Sequence, residues 1–283
     1  MKHAVLKNAM TIDVEDFFQV SAFAANIPRA HWDTMPCRVE RNIDLILSLL
    51  DAGQTRATFF TLGWIAERYP AMVRRIIENG HELASHGYAH QRVTELDRDE
   101  FREDVVHAKI LLEDLSGSRV NGYRAPSFSI GANNMWALDV LQETGHLYSS
   151  SIYPVQHDHY GTPAAPRFAY RPRGENGLLE LPPTTSKFMG RNLPAGGGGY
   201  FRLLPYKTSR WLMHRVNSHD EQPCIFYFHP WELDPHQPRQ HGISLKTRFR
   251  HYVNLSRTEA RIQSLLRDFN WDRMDHIFLK DAA

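Results

Sequence analysis

The sequence predicts an α/β fold built on a parallel sheet, and three observations point there. Short apolar strands alternate with helix-period segments four times in the first half of the chain, the mark of successive βα units. The runs Asp13-Val14-Glu15-Asp16, His86-Gly87-Tyr88-Ala89-His90 and Arg124-Ala125-Pro126 stand at the C-terminal ends of predicted strands, where barrel and doubly wound enzymes place their chemistry. At 283 residues, 42% hydrophobic and 23% charged, the chain reads as globular, with room for one large domain or two small ones.

The elements follow in order. Residues 10–14 read as a short buried strand that ends in acid. Residues 17–36 are aromatic-rich and irregular, with Pro28 and Pro36 as breakers. Val39, Ile43, Ile46, Leu47 and Leu50 recur at helical spacing, which predicts a helix from Arg38 to Ala52, stopped by Gly53. Residues 56–61 read as a strand, and Pro70 to Asn79 as a helix with Met72, Val73, Ile76 and Ile77 inward. His81 to Ser85 is the next strand. Asp97 with Glu100 three residues on predicts a capped helix start, running to about Leu115. Gly122-Tyr123-Arg124 is strand-like, and a helix spans about Asn134 to Glu143.

The second half is less regular. Residues 153–177 read as a long loop and Leu178 to Pro182 as a short strand. Gly196 to Gly199 reads as a flexible loop; it lacks the Lys-Ser/Thr of a phosphate loop, which argues against nucleotide binding. Residues 206–217 predict a helix, Cys224 to Phe228 a continuous apolar strand, 246–267 a basic amphipathic helix, and Ile277-Phe278-Leu279 a final strand.

A net charge of +1 gives no reason to expect nucleic acid or an anionic membrane as partner. Two distant cysteines, Cys37 and Cys224, fit a reducing compartment rather than a disulfide framework. Residues 1–10 show no signal-peptide core, and no run approaches the roughly 20 apolar residues of a membrane span. The expectation is a cytoplasmic protein, able to work at the inner membrane face.

His86 and His90 are four apart after a glycine turn, a spacing that lets two imidazoles converge on one divalent ion. A carboxylate is the usual third ligand, and the Asp13–Asp16 run offers one. Asp13 closes an apolar strand, a costly place for an unpartnered charge, and Arg124 at another strand end could pair with it. The plainer readings are polar loop histidines, a helix-capping acid cluster, and for His229 a core histidine satisfied by backbone. Glu180 and Cys224 read as structural.

In this order, the segments Thr11 to Asp16, Ser85 to His90, Arg124 to Ser127, Leu179 to Pro182 and Phe228-His229-Pro230 resemble the five motifs of the polysaccharide deacetylases of carbohydrate esterase family four. The resemblance covers about residues 8–235. It implies an irregular (β/α) barrel of the NodB-homology type, a single domain with residues 236–283 as an extension packed on the barrel. The runs Asp13 to Gln19, Pro194 to Arg202 and His229 to Glu232 resemble a subgroup associated with exopolysaccharide and exosortase loci.

The resemblance also implies roles. A divalent metal, Zn2+ first with Co2+ or Ni2+ as alternatives, would sit on His86, His90 and one acid. The family's adjacent pair of Asp is absent here, so the acid is Glu15 or Asp16; strand alternation favours Glu15 slightly. Asp13 would be the general base, Arg124 its partner, and His229 the general acid. A backbone N–H near Ser127 would help hold an oxyanion, while Tyr88, Phe128, Trp231, Tyr200 and Tyr227 are candidate sugar contacts. The implied substrate is an N-acetyl-hexosamine polysaccharide or lipid-linked glycan. Arg248, Arg250, Arg257, Arg261 and Arg267 would give the extension a basic face, either a solvated helix surface or a contact to an anionic lipid-linked substrate or assembly partner. The alternatives from the same residues are a small cyclic amide hydrolase, a non-catalytic carbohydrate-binding relative, and a two-His-one-carboxylate iron oxygenase; the last normally sits on an antiparallel scaffold.

Overall fold

Strand β1 (Asn8–Val14) is buried along its whole length and has strands on both edges. The structure is a computed structural model, and it describes residues 6–157 and 161–279. The predicted loop at 153–177 and the first ten residues therefore lie partly outside the described residues. After β1 come α1 (Val39–Ala52), β2 (Thr58–Thr61), α2 (Gly63–Arg68), α3 (Pro70–Glu78), β3 (Glu82–Ser85), α4 (Arg98–Ser116), β4 (Gly122–Tyr123), α5 (Trp136–Glu143) and β5 (Tyr148–Ser149). The second half holds β6 (Leu179–Glu180), β7 (Thr185–Phe188), β8 (Arg191–Pro194), α6 (Gly198–Leu203), α7 (Tyr206–His219), β9 (Ile225–Phe228), α8 (Leu245–Tyr252), α9 (Leu255–Asp268), β10 (Trp271–Asp272) and α10 (Met274–Phe278).

The main sheet is parallel and runs β9-β1-β2-β3-β4-β5-β6. Strand β10 lies against the N-terminal end of β1 on the β2 side. The sheet curls toward closure, and a seam joins the β6 side to β9. There Thr184 N donates to Ile225 O at 3.1 Å and Tyr227 N to Gly196 O at 2.7 Å. The amphipathic helices cover the outside because their apolar stripes match the sheet's buried outer face. Residues such as Ile12, Ile43, Phe59, Met72 and Phe226 make up the largest core cluster. The predicted helix start at Asp97 is a capping box, with Asp97 accepting from Asp99 and Glu100 N–H.

Three expectations need correction. Gly196–Gly199 is not a flexible loop. Gly197 sits at φ +113° with no room for a Cβ, which would lie 1.9 Å from Tyr227 O. The glycines are there so that the seam backbone can press against β9. Gly197→Ala is therefore expected to destabilise the fold by about 2–4 kcal/mol, read as a lower urea midpoint. Second, the helix expected over 246–267 breaks at Asn254, which is left-handed at φ 53° and whose side chain bonds Arg202 O at 2.8 Å. Arg261 of the expected basic face is turned inward, onto the carbonyls of Phe201 and Arg202 at 2.7 Å. Third, Ile277-Phe278 belongs to helix α10 rather than a strand. Trp271–Asp272 already occupies the β1 edge, and a short apolar run does not by itself distinguish the two structures. Beyond residue 235 the chain thus contributes a strand to the sheet as well as helices packed on it.

Candidate active site

The C-terminal ends of β1, β3, β4 and β9 open into one cleft of about 600 Å3. Its floor is charged. Arg124, fully buried just after β4, donates to Asp13 Oδ1 at 2.5 Å and to Thr11 Oγ1 at 2.8 Å, and its other nitrogens bond Ser150. The guanidinium lies 4.1 Å from the Phe60 ring centroid. The expected pairing of Asp13 with Arg124 is what makes two buried charges tolerable; removing one partner from such a pair costs about 3–5 kcal/mol.

His86 follows β3 and is anchored by its backbone N–H to Thr61 O at 3.1 Å. Its Nδ1 lies 2.7 Å from Arg124 O. A carbonyl accepts only, so Nδ1 carries the proton and Nε2 presents its lone pair. Burial pushes the His86 pKa down to about 4, so the ring is neutral and fit to ligate. Between the two histidines Gly87 takes φ +75°, where a Cβ would strike the Asp104 carboxylate at 2.7 Å. Asp104 in turn accepts from Tyr88 N–H at 3.1 Å. His90 itself is left-handed at φ 54°. That strained turn swings His90 back beside His86, ring centroids 5.3 Å apart.

Glu15, just past β1, completes the group: donor atoms of Glu15, His86 and His90 all lie within 4.8 Å of one another. Its Oε1 accepts from Trp231 Nε1–H at 3.1 Å. Its Oε2 is buried with no hydrogen-bond donor aligned on it, although His90 Nε2 is only 2.7 Å away. An orphaned carboxylate oxygen beside two imidazole nitrogens fits a divalent cation. Burial would raise the Glu15 pKa, but His90, His229 and His86 outweigh it and hold the carboxyl down at about 2.

Asp16 does not join this group. Its carboxylate accepts from Val39 N–H at 2.7 Å, from Phe17 N–H at 2.8 Å, from Arg38 N–H and from the Cys37 thiol at 3.1 Å. The chain turns after Glu15, and Asp16 caps the start of α1 instead. Of the two acids left open by the sequence, the structure brings Glu15 to the histidines.

His229 closes β9 on the opposite side. Its Nε2 stands 3.6 Å from Glu15 Oε1 and 3.9 Å from Asp13 Oδ2. Its Nδ1 bonds Glu232 Oε1 at 2.7 Å, and Arg202 Nε donates to Glu232 Oε2 at 2.5 Å. Burial lowers the His229 pKa, but Glu15, Glu232 and Asp13 prevail and lift it to about 9. Burial would raise the Glu232 pKa, but Arg202 and His229 outweigh it and hold the carboxyl down at about 2. Neither Glu232 nor Arg202 was singled out by sequence reasoning. The His-Pro-Trp-Glu run held the signal for Glu232, three residues after His229 at the spacing of a capping box.

The candidate sugar contacts divide. Ser127, left-handed at φ 54°, and Phe128, Tyr200 and Tyr227 line the cleft. Ser127 Oγ lies 2.7 Å from Ser21 Oγ. Tyr88 does not: its hydroxyl donates to Glu67 at 2.7 Å and its ring stacks on His107 at 4.4 Å. The glycine turn that aims His90 inward sends Tyr88 outward. Trp231 has both faces covered, by His229 at 5.2 Å and His251 at 4.3 Å. No face is left for a sugar ring, and its part is to hold Glu15 and His229.

The polysaccharide deacetylase family matches residues 30–148, and a domain of unknown function, DUF3473, matches residues 150–279. Among curated relatives, the chain is 34% identical over 95 residues to the peptidoglycan-N-acetylglucosamine deacetylase of Bacillus cereus, covering 33% of this chain and 34% of that protein. It is 26% identical over 109 residues to the chitooligosaccharide deacetylase of Sinorhizobium fredii, covering 38% and 48%. The matched region thus spans about a third to a half of the length of these relatives. Two solved structures share the fold. A provisionally named polysaccharide deacetylase from Mycobacterium smegmatis superposes with TM-score 0.61 at 20% identity, covering 97% of this chain and 93% of that one. The Puue allantoinase superposes with TM-score 0.59 at 16% identity, covering 95% and 87%. Residues 30–148, which carry His86, His90 and Arg124, match the polysaccharide deacetylase family, and the chain continues into the match to DUF3473.

Proposed function

We propose that the protein is a metal-dependent N-deacetylase that hydrolyses acetamides on hexosamine units of a polysaccharide or lipid-linked oligosaccharide, in exopolysaccharide biosynthesis. The observation that carries this reading is the orphaned Glu15 carboxylate oxygen beside His86 and His90, with Asp13 and His229 on its two flanks. Glu15, His86 and His90 would hold the ion, Zn2+ by preference and Co2+ or Ni2+ as alternatives. Bound there, a divalent ion supplies Lewis acidity to the acetyl carbonyl.

The chain's own groups supply the rest. Arg124 occupies Asp13 Oδ1 and leaves Oδ2 toward the cleft, placed to accept a proton from the attacking water. As the carbon–nitrogen bond breaks, His229 Nε2–H gives its proton to the departing amine. Glu232 fixes the ring by holding Nδ1. The products are acetate and the free amino sugar. Tyr200 offers aromatic surface to the glycan, Phe128 and Tyr227 pack edge-on to each other in the cleft wall, and the backbone near Ser127 offers an N–H to the oxyanion.

The matched curated relatives are named as deacetylases of peptidoglycan and chitooligosaccharide, which favours a glycan over a small cyclic amide. The intact set Asp13, His86, His90, Arg124 and His229 argues against a binding-only relative, and the parallel α/β sheet against an iron oxygenase. Among the described residues no helix is long and apolar enough to cross a membrane; a lipid-linked substrate would be met at the inner membrane face. Metal analysis together with acetate release from chitooligosaccharides tests the reading. The expected result is stoichiometric divalent metal and acetate matched by new free amine. Metal-loaded protein that releases no acetate from any N-acetyl-hexosamine oligomer would overturn it.

A further inference from the structure

The strongest surface feature outside the cleft lies on the hairpin β7–β8 and the neighbouring helix α7. Met189, at the hairpin turn, is 87% exposed, and Phe188 beside it packs edge-on against Trp211 of α7 at 5.7 Å. All three are large, apolar and open to solvent. In α7, Lys207, Arg210, Trp211, His214 and Arg215 fall at spacings that share one helix face. The opposite face, with Leu212, Met213 and Val216, is buried. Lys187 and Arg191 are exposed on either side of the hairpin turn. Arg210 is held by Asp268 at 2.9 Å, and Arg215 lies over the Trp211 ring at 5.4 Å.

We infer that this face docks on an anionic lipid bilayer, with Phe188, Met189 and Trp211 at the acyl boundary and Lys187, Arg191 and Lys207 on the headgroup phosphates. A protruding turn with Phe and Met, a Trp at the edge and flexible cations around them is the chemistry of interfacial binding. A net charge of +1 gives no long-range pull, so the attraction is local to this cationic rim. A second copy of the chain fits less well, because a two-fold contact through this face would set one set of cations against the other. Leu203, at the end of α6, lines the cleft and is 47% exposed, and it comes four residues before Lys207 in the chain. This surface stands independently of the catalytic reading.

The test is co-sedimentation with vesicles of phosphatidylcholine alone or mixed with phosphatidylglycerol. Wild type is expected on the mixed vesicles, weakly on the neutral ones, and released by high salt. Lys187→Glu/Arg191→Glu/Lys207→Glu should lower mixed-vesicle binding by about tenfold or more. Met189→Ser alone, a change at a fully solvated side chain, should weaken it measurably while the thermal melt stays unchanged. Equal partition onto both vesicle types, no binding, or variants that bind like wild type would overturn the inference. So would light scattering that shows a dimer dissociated by the same substitutions.

Discussion

His86→Ala and His90→Ala are each expected to abolish stoichiometric metal binding and, with it, acetate release. Each removes one of two imidazole nitrogens that face Glu15, and the remaining pair of ligands is too few for a catalytic divalent site. Glu15→Gln should weaken the metal strongly for the same reason. Asp16→Asn should behave differently. Its carboxylate accepts from the Arg38 and Val39 N–H groups at the start of α1 and from Phe17 N–H, so an amide there turns donors toward donors. The expected loss is roughly 2–3 kcal/mol of stability with metal retained below the melt. Elemental analysis beside a urea titration separates the four variants. Metal kept by His86→Ala or His90→Ala, or equal mild losses in Glu15→Gln and Asp16→Asn, would show the ligand set to be misassigned.

Asp13→Asn should keep the metal and lower turnover by about 10²–10⁴-fold, the usual worth of a general base. Asparagine still offers Arg124 an oxygen, which limits the damage to the floor of the cleft. His229→Ala should cost turnover on the same scale with amides, but far less with aryl acetates, whose leaving group departs without a proton. The pH profile carries a second signature. With its pKa raised from 6.5 to about 9 by Glu15, Glu232 and Asp13 against burial, His229 is protonated below that value and loses its acid function as pH rises through it. A cation shared with Glu15 pushes the pKa back down, so the alkaline limb falls between the ordinary histidine value and about pH 9. The limb should disappear in His229→Ala. If that variant slows aryl acetate and amide hydrolysis equally, the acid role fails.

Much of this architecture was legible in local sequence. Helix α1 and helix α4 announce themselves through stripe and cap, because 3.6-residue periodicity and the Asp97–Glu100 capping box are short-range properties. The glycine turn between His86 and His90 was legible for the same reason. In the second half the strand at Leu178–Pro182, the helix over 206–217 and the strand at Cys224–Phe228 were legible too, as β6, α7 and β9. Strands β5 and β10 were not: each is two residues long, too short to show alternation, and exists because a neighbouring strand offers free carbonyls and N–H groups.

For the site, the sequence by itself determined the chemistry available: two imidazoles at ligand spacing, acids at a strand end, an Arg and a His at others. Only the tertiary structure decided which of them meet. Glu15 and Asp16 are neighbours of like charge, and one reaches the histidines while the other caps a helix, because the turn after β1 points them to different partners. Tyr88 sits between two inward residues yet faces outward, and Trp231 follows the histidine yet is covered on both faces. The Arg202–Glu232–His229 chain joins α6 to the segment after β9. Nothing in either stretch encodes that meeting, because it depends on the seam that lets the backbone at Gly196 and Gly197 close against Tyr227.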